Sequence, residues 1–358
     1  MMDYILGGQL LVLFFALLWF FISNNFFKKN KILDNKLLII LFLTTVSFYW
    51  GLRPFDVGTD TGNYYNAFIS IDVSKPIHYY LSSLKGDYLF YIVLYVCRKY
   101  LDFSWFLTFC SFITSLGFYL LYKNFNLGKK IENHLLAPVF IFLYFSLFSY
   151  TSIYCNIIRN GCALPYSLLF VLKLFNKEYK LSFIYMIVSL SFHMSSIILI
   201  LIALGLFFVK ISVPSCFIIY LSCVTFSILG YGLGSIPLIS NLSNARLAGY
   251  LGDNDIGYTT GFRLDFTLYN FFFLLLAYIL SDKKDKGFKF FFKLYVLTSS
   301  FFVLCYSLIY SDRFGIYSWF LIPIVLLFSI NNFPLRKKFL ISVLFLFVFW
   351  GINIIIFI

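Results

Sequence analysis

Between Arg53 and Tyr64 the chain reads RPFDVGTDTGNY. Arg53, Asp56, Thr59, Asp60, Thr61, Asn63 and Tyr64 set a permanent cation, two carboxylates, hydroxyls and an amide at the end of a long apolar run. Gly58 and Gly62 let the backbone approach a ligand closely or turn with positive φ. Polarity of this density beside a bilayer is costly unless water, protein groups or a ligand satisfy it. The segment therefore reads as a functional loop, not a solvated connector.

The arginines form a second constellation. Basic clusters mark the cytoplasmic loops of membrane proteins. On the topology that they define here, 18 of 21 lysines fall inside, whereas Arg53, Arg98, Arg159, Arg246, Arg263 and Arg313, six of the seven arginines, fall outside. Lysine suffices as a topology charge; arginine adds a planar, permanently charged fork that grips phosphate at two points. Arg159 in NIIRNG and Arg313 in SDRFG stand at outer helix ends, and with Arg53 and Arg263 they can converge on one anion. The competing reading is local: each arginine snorkels or pairs nearby, Arg313 with Asp312 and Arg263 with Asp265. His193 in LSFHMSS is singular among apolar and hydroxylic neighbours. It reads either as a proton acceptor or phosphate contact, or as a ring hydrogen-bonded to backbone.

What positions these groups is a membrane bundle. Hydrophobic residues are 61% of the chain and charged residues 12%, against about 25% charged in soluble domains. Apolar runs of spanning length recur throughout, without the short alternating strands of a barrel. The fold expected is all-α: a single polytopic domain over residues 1–358 with about 12 transmembrane helices, at 4–27, 37–52, 103–122, 133–151, 156–173, 181–192, 196–209, 214–231, 266–281, 289–310, 314–330 and 339–358. Segment 88–101 is too short to cross and is expected to be re-entrant or interfacial. Segment 181–209 is expected to turn back near His193. The outer polar loops are 53–87 and 232–265, the second holding Arg246, Tyr250 and GDND at 252–255. The first span precedes Lys28, Lys29, Lys31 and Lys36, which puts the N-terminus outside and is the opposite polarity to a secretory signal.

Other chemistries lack their signatures. Seven scattered cysteines, none in a C-x-x-C pair, read as small core residues. No Walker loop, nucleophile elbow or dinucleotide fingerprint occurs. Metal sites are not expected: there is no H-E-x-x-H, and the acidic pairs Asp56/Asp60 and Asp253/Asp255 read as loop residues. The net charge of +13 reflects topology and does not call for nucleic acid.

The pattern R-P-x-x-V-G-T-D-T-x-x-Y after the second span resembles the EpsG-like branch of the Wzy-type O-antigen and capsular polysaccharide polymerases. The resemblance runs on through DYLFYIVLYV from Asp87, where that family often has glutamate at Asp87 or Tyr88, then Arg159, SFHMSS and DRFGIYSWFLIP. It implies a glycosyltransferase acting on the outer side of the bacterial cytoplasmic membrane. The donor would be a growing glycan on undecaprenyl pyrophosphate, the acceptor a hydroxyl of the next lipid-linked repeat unit, with membrane lipid and a chain-length regulator as further partners. No cofactor is implied, and fixed cations can meet leaving-group charge without a metal. On this reading Arg159, Arg313 and Arg53 hold the pyrophosphate, and Asp60 or His193 activates the acceptor. Thr59, Tyr64, Arg263 and the loop from Tyr250 contact sugar or close the site, while Asp56 contacts substrate or braces Arg53. The rival readings are a lipid-linked oligosaccharide flippase and an O-antigen ligase.

Overall fold

The computed structural model describes residues 2–25, 33–84, 86–125, 140, 143–145, 147–235, 260–331, 344, 348 and 351. These are helical and joined by turns, with no strand among them. Among the described residues four helices are long and apolar enough to cross a membrane: Phe103–Asn124, Ile158–Phe175, Lys286–Ser307 and Asp312–Ile330. Shorter apolar helices accompany them, so the expected count of twelve rests on the hydropathy pattern alone. Most of 133–151, the whole of 339–358 apart from three isolated positions, and the loop with Arg246, Tyr250 and Asp253 lie outside the described residues, as do His134 and the basic group Arg336–Lys338.

The chain divides into two compact units, Met1–Ile200 with Pro334–Ile358, and Leu201–Phe333. In the first, α1 (Met2–Asn25) packs on α2 (Leu33–Gly51), and α2 on α6 (Phe103–Asn124). Helix α6 packs in turn on α8 (Ile158–Phe175), which also meets α7 (Tyr150–Cys155) and α9 (Tyr179–Phe192). Helix α8 is the hub: nearly every residue from Ile158 to Leu174 is buried. Its run of small and branched apolar side chains lets neighbours close on all faces, as expected of a helix apolar all round. At its far end Lys173 is buried and held to Glu178 at 2.8 Å, which meets the cost of removing an ammonium from water.

The 53–87 segment, expected as a polar loop, contains two short helices, α3 (Thr61–Ile69) and α4 (Ile77–Ser82). It leads into α5 (Tyr88–Tyr100), whose 13 residues reach only about 20 Å, short of a hydrocarbon core of about 30 Å. Phe90, Leu94 and Cys97 bury one face of α5 while Tyr88, Val96 and Tyr100 stay exposed. Helix α6 opens with Asp102 accepting from the Trp105 amide at 3.1 Å, a standard N-cap. At His193, where a turn back is expected, the helix is broken by one extended residue, φ −158° and ψ 120°, followed by a single 3₁₀ turn, Met194–Ser196, and α10 (Ile197–Phe208).

The second unit is organised by α13 (Lys286–Leu304), which packs against α11 (Val213–Ile228), α12 (Leu264–Leu280), α14 (Asp312–Trp319) and α15 (Ile322–Asn331). Ser212 and Asp285 cap α11 and α13 by accepting from the Ser215 and Phe288 amides. All seven cysteines are free and buried, the packing role read from their scatter.

Candidate active site

Helix α8 does not begin where α7 ends. Asn156 and Ile157 break the helix, Ile157 at φ −104° and ψ 53°. The Asn156 and Ile157 amides both donate to the Ser152 carbonyl, at 2.9 and 2.8 Å. Gly161 permits the tight restart: a Cβ there would stand 2.1 Å from the Ile153 carbonyl oxygen. Arg159 therefore leaves the first turn of α8 beside a fixed break.

The 53–64 segment clips onto that break. Arg53 is 6% exposed and spends its guanidinium on protein: Nη1 donates to the Trp50 carbonyl at 2.8 Å and Nε to Val57 at 3.1 Å. Its Nη2 reaches Thr61 Oγ1 at 3.3 Å and the Cys155 carbonyl at 3.4 Å. Thr61 Oγ1 donates to the Val57 carbonyl at 2.8 Å. Gly58, at φ +99°, lies so close to the break that a Cβ would be 2.6 Å from the Cys155 carbonyl oxygen. The Thr59 amide donates to Asn156 Oδ1 at 2.9 Å, and Tyr64 Oη to the Asn156 carbonyl at 3.3 Å. The motif thus divides by side. Arg53, Val57, Thr61 and Tyr64 are buried structure; Asp56, Thr59 and Asn63 are exposed, with Asp60 half-buried at the start of α3. The Arg53 fork is filled by neutral oxygens of the protein, and Asp56 is not among the groups that these hydrogen bonds join to it.

On the other side of Arg159 stands a residue that the sequence left in the background. Asp87 begins α5 in the left-handed region, φ 58° and ψ 34°, directly after Gly86 at φ 136°. It caps none of its own helix's amides with its side chain. Instead Oδ2 accepts from Arg159 Nη1 at 3.0 Å and lies 3.0 Å from His193 Nδ1, while Oδ1 accepts from the Met194 amide at 2.9 Å. Side-chain exposure rises from Asp87 at 10% through His193 at 19% to Arg159 at 35%. The carboxylate thus sits behind, with the ring and guanidinium nearer solvent. Burial pushes the Asp87 carboxyl up, but the His193 and Met194 hydrogen bonds and the nearby charges outweigh it and hold the group below the ordinary carboxylate range.

The surroundings fix this cluster. Phe90, one turn into α5, lies 6.0 Å beneath the Arg159 guanidinium and 5.7 Å from the Tyr64 ring. Ser195 Oγ donates to Asn160 Oδ1 at 3.0 Å, and Ser189 Oγ to the Ala163 carbonyl at 3.1 Å, which ties the residues flanking His193 to α8. Two groups proposed separately, Arg159 and His193, are therefore joined through one carboxylate. The signals for Asp87 in the sequence are a lone acid after glycine at the mouth of an apolar helix and its place at the start of DYLFYIVLYV.

Arg263 and Arg313 belong to the second unit and are described there alone. Arg263 grips Asp265 at two points, 3.0 and 2.6 Å, over the Phe266 ring, which is the local pairing weighed above. Arg313 lies over the Tyr310 ring at 4.6 Å, and Tyr310 itself has φ 57°. Tyr250 lies outside the described residues.

Chemically, the first-unit cluster offers a cation reachable by an anion and an imidazole backed by a carboxylate, both beside a rigid helix break. The sequence model of the EpsG family matches residues 35–358 of the chain. No curated protein and no solved structure matches it.

Proposed function

We propose, from the premise that the chain belongs to the EpsG family, that it joins lipid-diphosphate-linked oligosaccharide repeat units into a polysaccharide on the outer side of the bacterial cytoplasmic membrane. The family associates it with membrane-bound polysaccharide synthesis; the reaction and the residues are our reading. One observation carries it: Arg159, in the first turn of α8, and His193, at the break after α9, meet at Asp87 and are both more exposed than the carboxylate.

In the reaction, the acceptor hydroxyl of one unit attacks the anomeric carbon of the glycan on the other. The O–H bond breaks and its proton passes to His193. A new C–O bond forms, while the bond from the anomeric carbon to the diphosphate oxygen breaks with its electron pair remaining on the diphosphate. Arg159 stabilises the charge that develops there, an interaction stronger in the transition state than before it. Tyr64 and Phe90 form a wall beside the guanidinium. Asp60, Thr59 and Asp56, at the partly open edge of the clip, are assigned to sugar hydroxyls. Arg53 is assigned to holding the loop.

The test is the export phenotype of His193→Ala and Arg159→Ala at matched protein level. A polymerase lesion leaves single repeat units at the surface, unjoined. Absence of any surface unit favours a flippase instead, and an unchanged ladder in both variants removes these residues from the chemistry. Arg313 is tested alongside by Arg313→Lys, which keeps the charge and loses the fork.

A further inference from the structure

We infer that Asp87 is a positioning residue for His193: its carboxylate holds the imidazole in the tautomer protonated at Nδ1, which leaves Nε2 as the proton-accepting atom. This rests on the reading of His193 as the group that takes the acceptor's proton.

The argument is one of donors and acceptors. Two of the three groups around the carboxylate, the Met194 amide and Arg159 Nη1, only donate. They fix both carboxylate oxygens as acceptors, so the third contact, 3.0 Å from Oδ2 to His193 Nδ1, is made by an N–H of the ring. A neutral imidazole with its proton on Nδ1 carries its lone pair on Nε2. Orientation is set with equal economy. The same carboxylate is bound to the amide of Met194, the residue after His193, so ring and carboxylate share one seat. The backbone of Asp87 is in the left-handed region, a conformation that residues with a Cβ seldom adopt. Forgoing its own helix cap, the side chain serves the contacts to α8 and to the break at His193 instead. The depressed carboxyl titration fits an anion held as acceptor.

The chain has three histidines, so the tautomer can be read directly by ¹⁵N NMR of histidine-labelled protein in lipid nanodiscs at mildly alkaline pH. The expected spectrum has a neutral ring, identified by its loss in His193→Gln, with a protonated Nδ1 and a bare Nε2. In Asp87→Asn the amide replaces an acceptor with a donor, so the proton should move to Nε2, and long polymer should fall at least tenfold. An Nε2–H tautomer in the unaltered protein overturns the inference, and that spectrum alone decides it if the variant fails to fold. A tautomer unchanged in folded Asp87→Asn also overturns it. A tautomer that moves while polymer length stays normal upholds the positioning role and sinks the reading of His193 as the base.

Discussion

A carboxylate that receives a backbone amide, a guanidinium and an imidazole couples stability to its own protonation. The folded Asp87 carboxyl titrates below its ordinary value, so its contribution is present above the unfolded value of about 3.9 and is lost as pH falls through the folded value. The unfolding midpoint of Asp87→Asn should therefore lie below that of the unaltered protein at neutral pH, and the gap should close below about pH 4. At Arg159, lysine keeps the charge but cannot reproduce a planar fork. Losing a charged contact of about 2–5 kcal/mol should cut long polymer at least tenfold in Arg159→Lys, read from chain-length distribution at equal expression. Arg159 and His193 were legible as candidates because an arginine at a helix end and a lone histidine in an apolar run are unusual in themselves. Asp87 was not, because an acid before a helix ordinarily caps it. The partners of Arg53 were hidden for a related reason: no sequence pattern reveals that a guanidinium will donate to carbonyls of its own loop and of Cys155.

At the scale of elements, the clip and the helix break act as one piece. Gly58→Ala places a Cβ 2.6 Å from the Cys155 carbonyl oxygen in a backbone with φ +99°. The left-handed penalty alone is about 1–2 kcal/mol, and the collision adds to it, so a clear fall in unfolding midpoint and in polymer yield is expected. Gly62→Ala is the matched control. Gly62 is helical, and nothing lies within 4 Å of where its Cβ would stand, so alanine should be neutral or should stabilise by up to about 1 kcal/mol. Differential scanning fluorimetry of the two variants in detergent checks both. Helix limits were readable where apolar runs end at polar residues: α6 at Phe103–Asn124 against an expected 103–122, α9 at Tyr179–Phe192 against 181–192. Helices α3 and α4, nine and six residues long, escaped notice because such pieces are too short to show an apolar period.

For the whole molecule, the separation of lysine from arginine predicts sidedness. Lys75 and Lys286 are both exposed and fall on opposite sides of the expected topology. In a background without the seven native cysteines, an impermeant thiol reagent applied to intact spheroplasts should label a cysteine at 75 and spare one at 286. The reverse pattern would invert the topology and place the Arg159 cluster on the cytoplasmic side. This expectation rests on charge bias, to which every basic loop contributes. The division into two compact units was invisible to it. One of its two boundaries, between Ile200 and Leu201, falls inside the uniformly apolar α10, where composition does not change.

The bond from Arg53 to the Cys155 carbonyl spans 102 residues, and that separation has a consequence for biogenesis. At a synthesis rate of about 5–20 residues per second, the ribosome needs about 5–20 s to pass from one end of the clip to the other. Throughout that interval the guanidinium just past the end of α2 lacks one of its final acceptors, and the 53–64 segment has nothing to close upon. Arrested nascent chains released before residue 155 should be cleaved by protease near the motif, and those extended past α8 should resist.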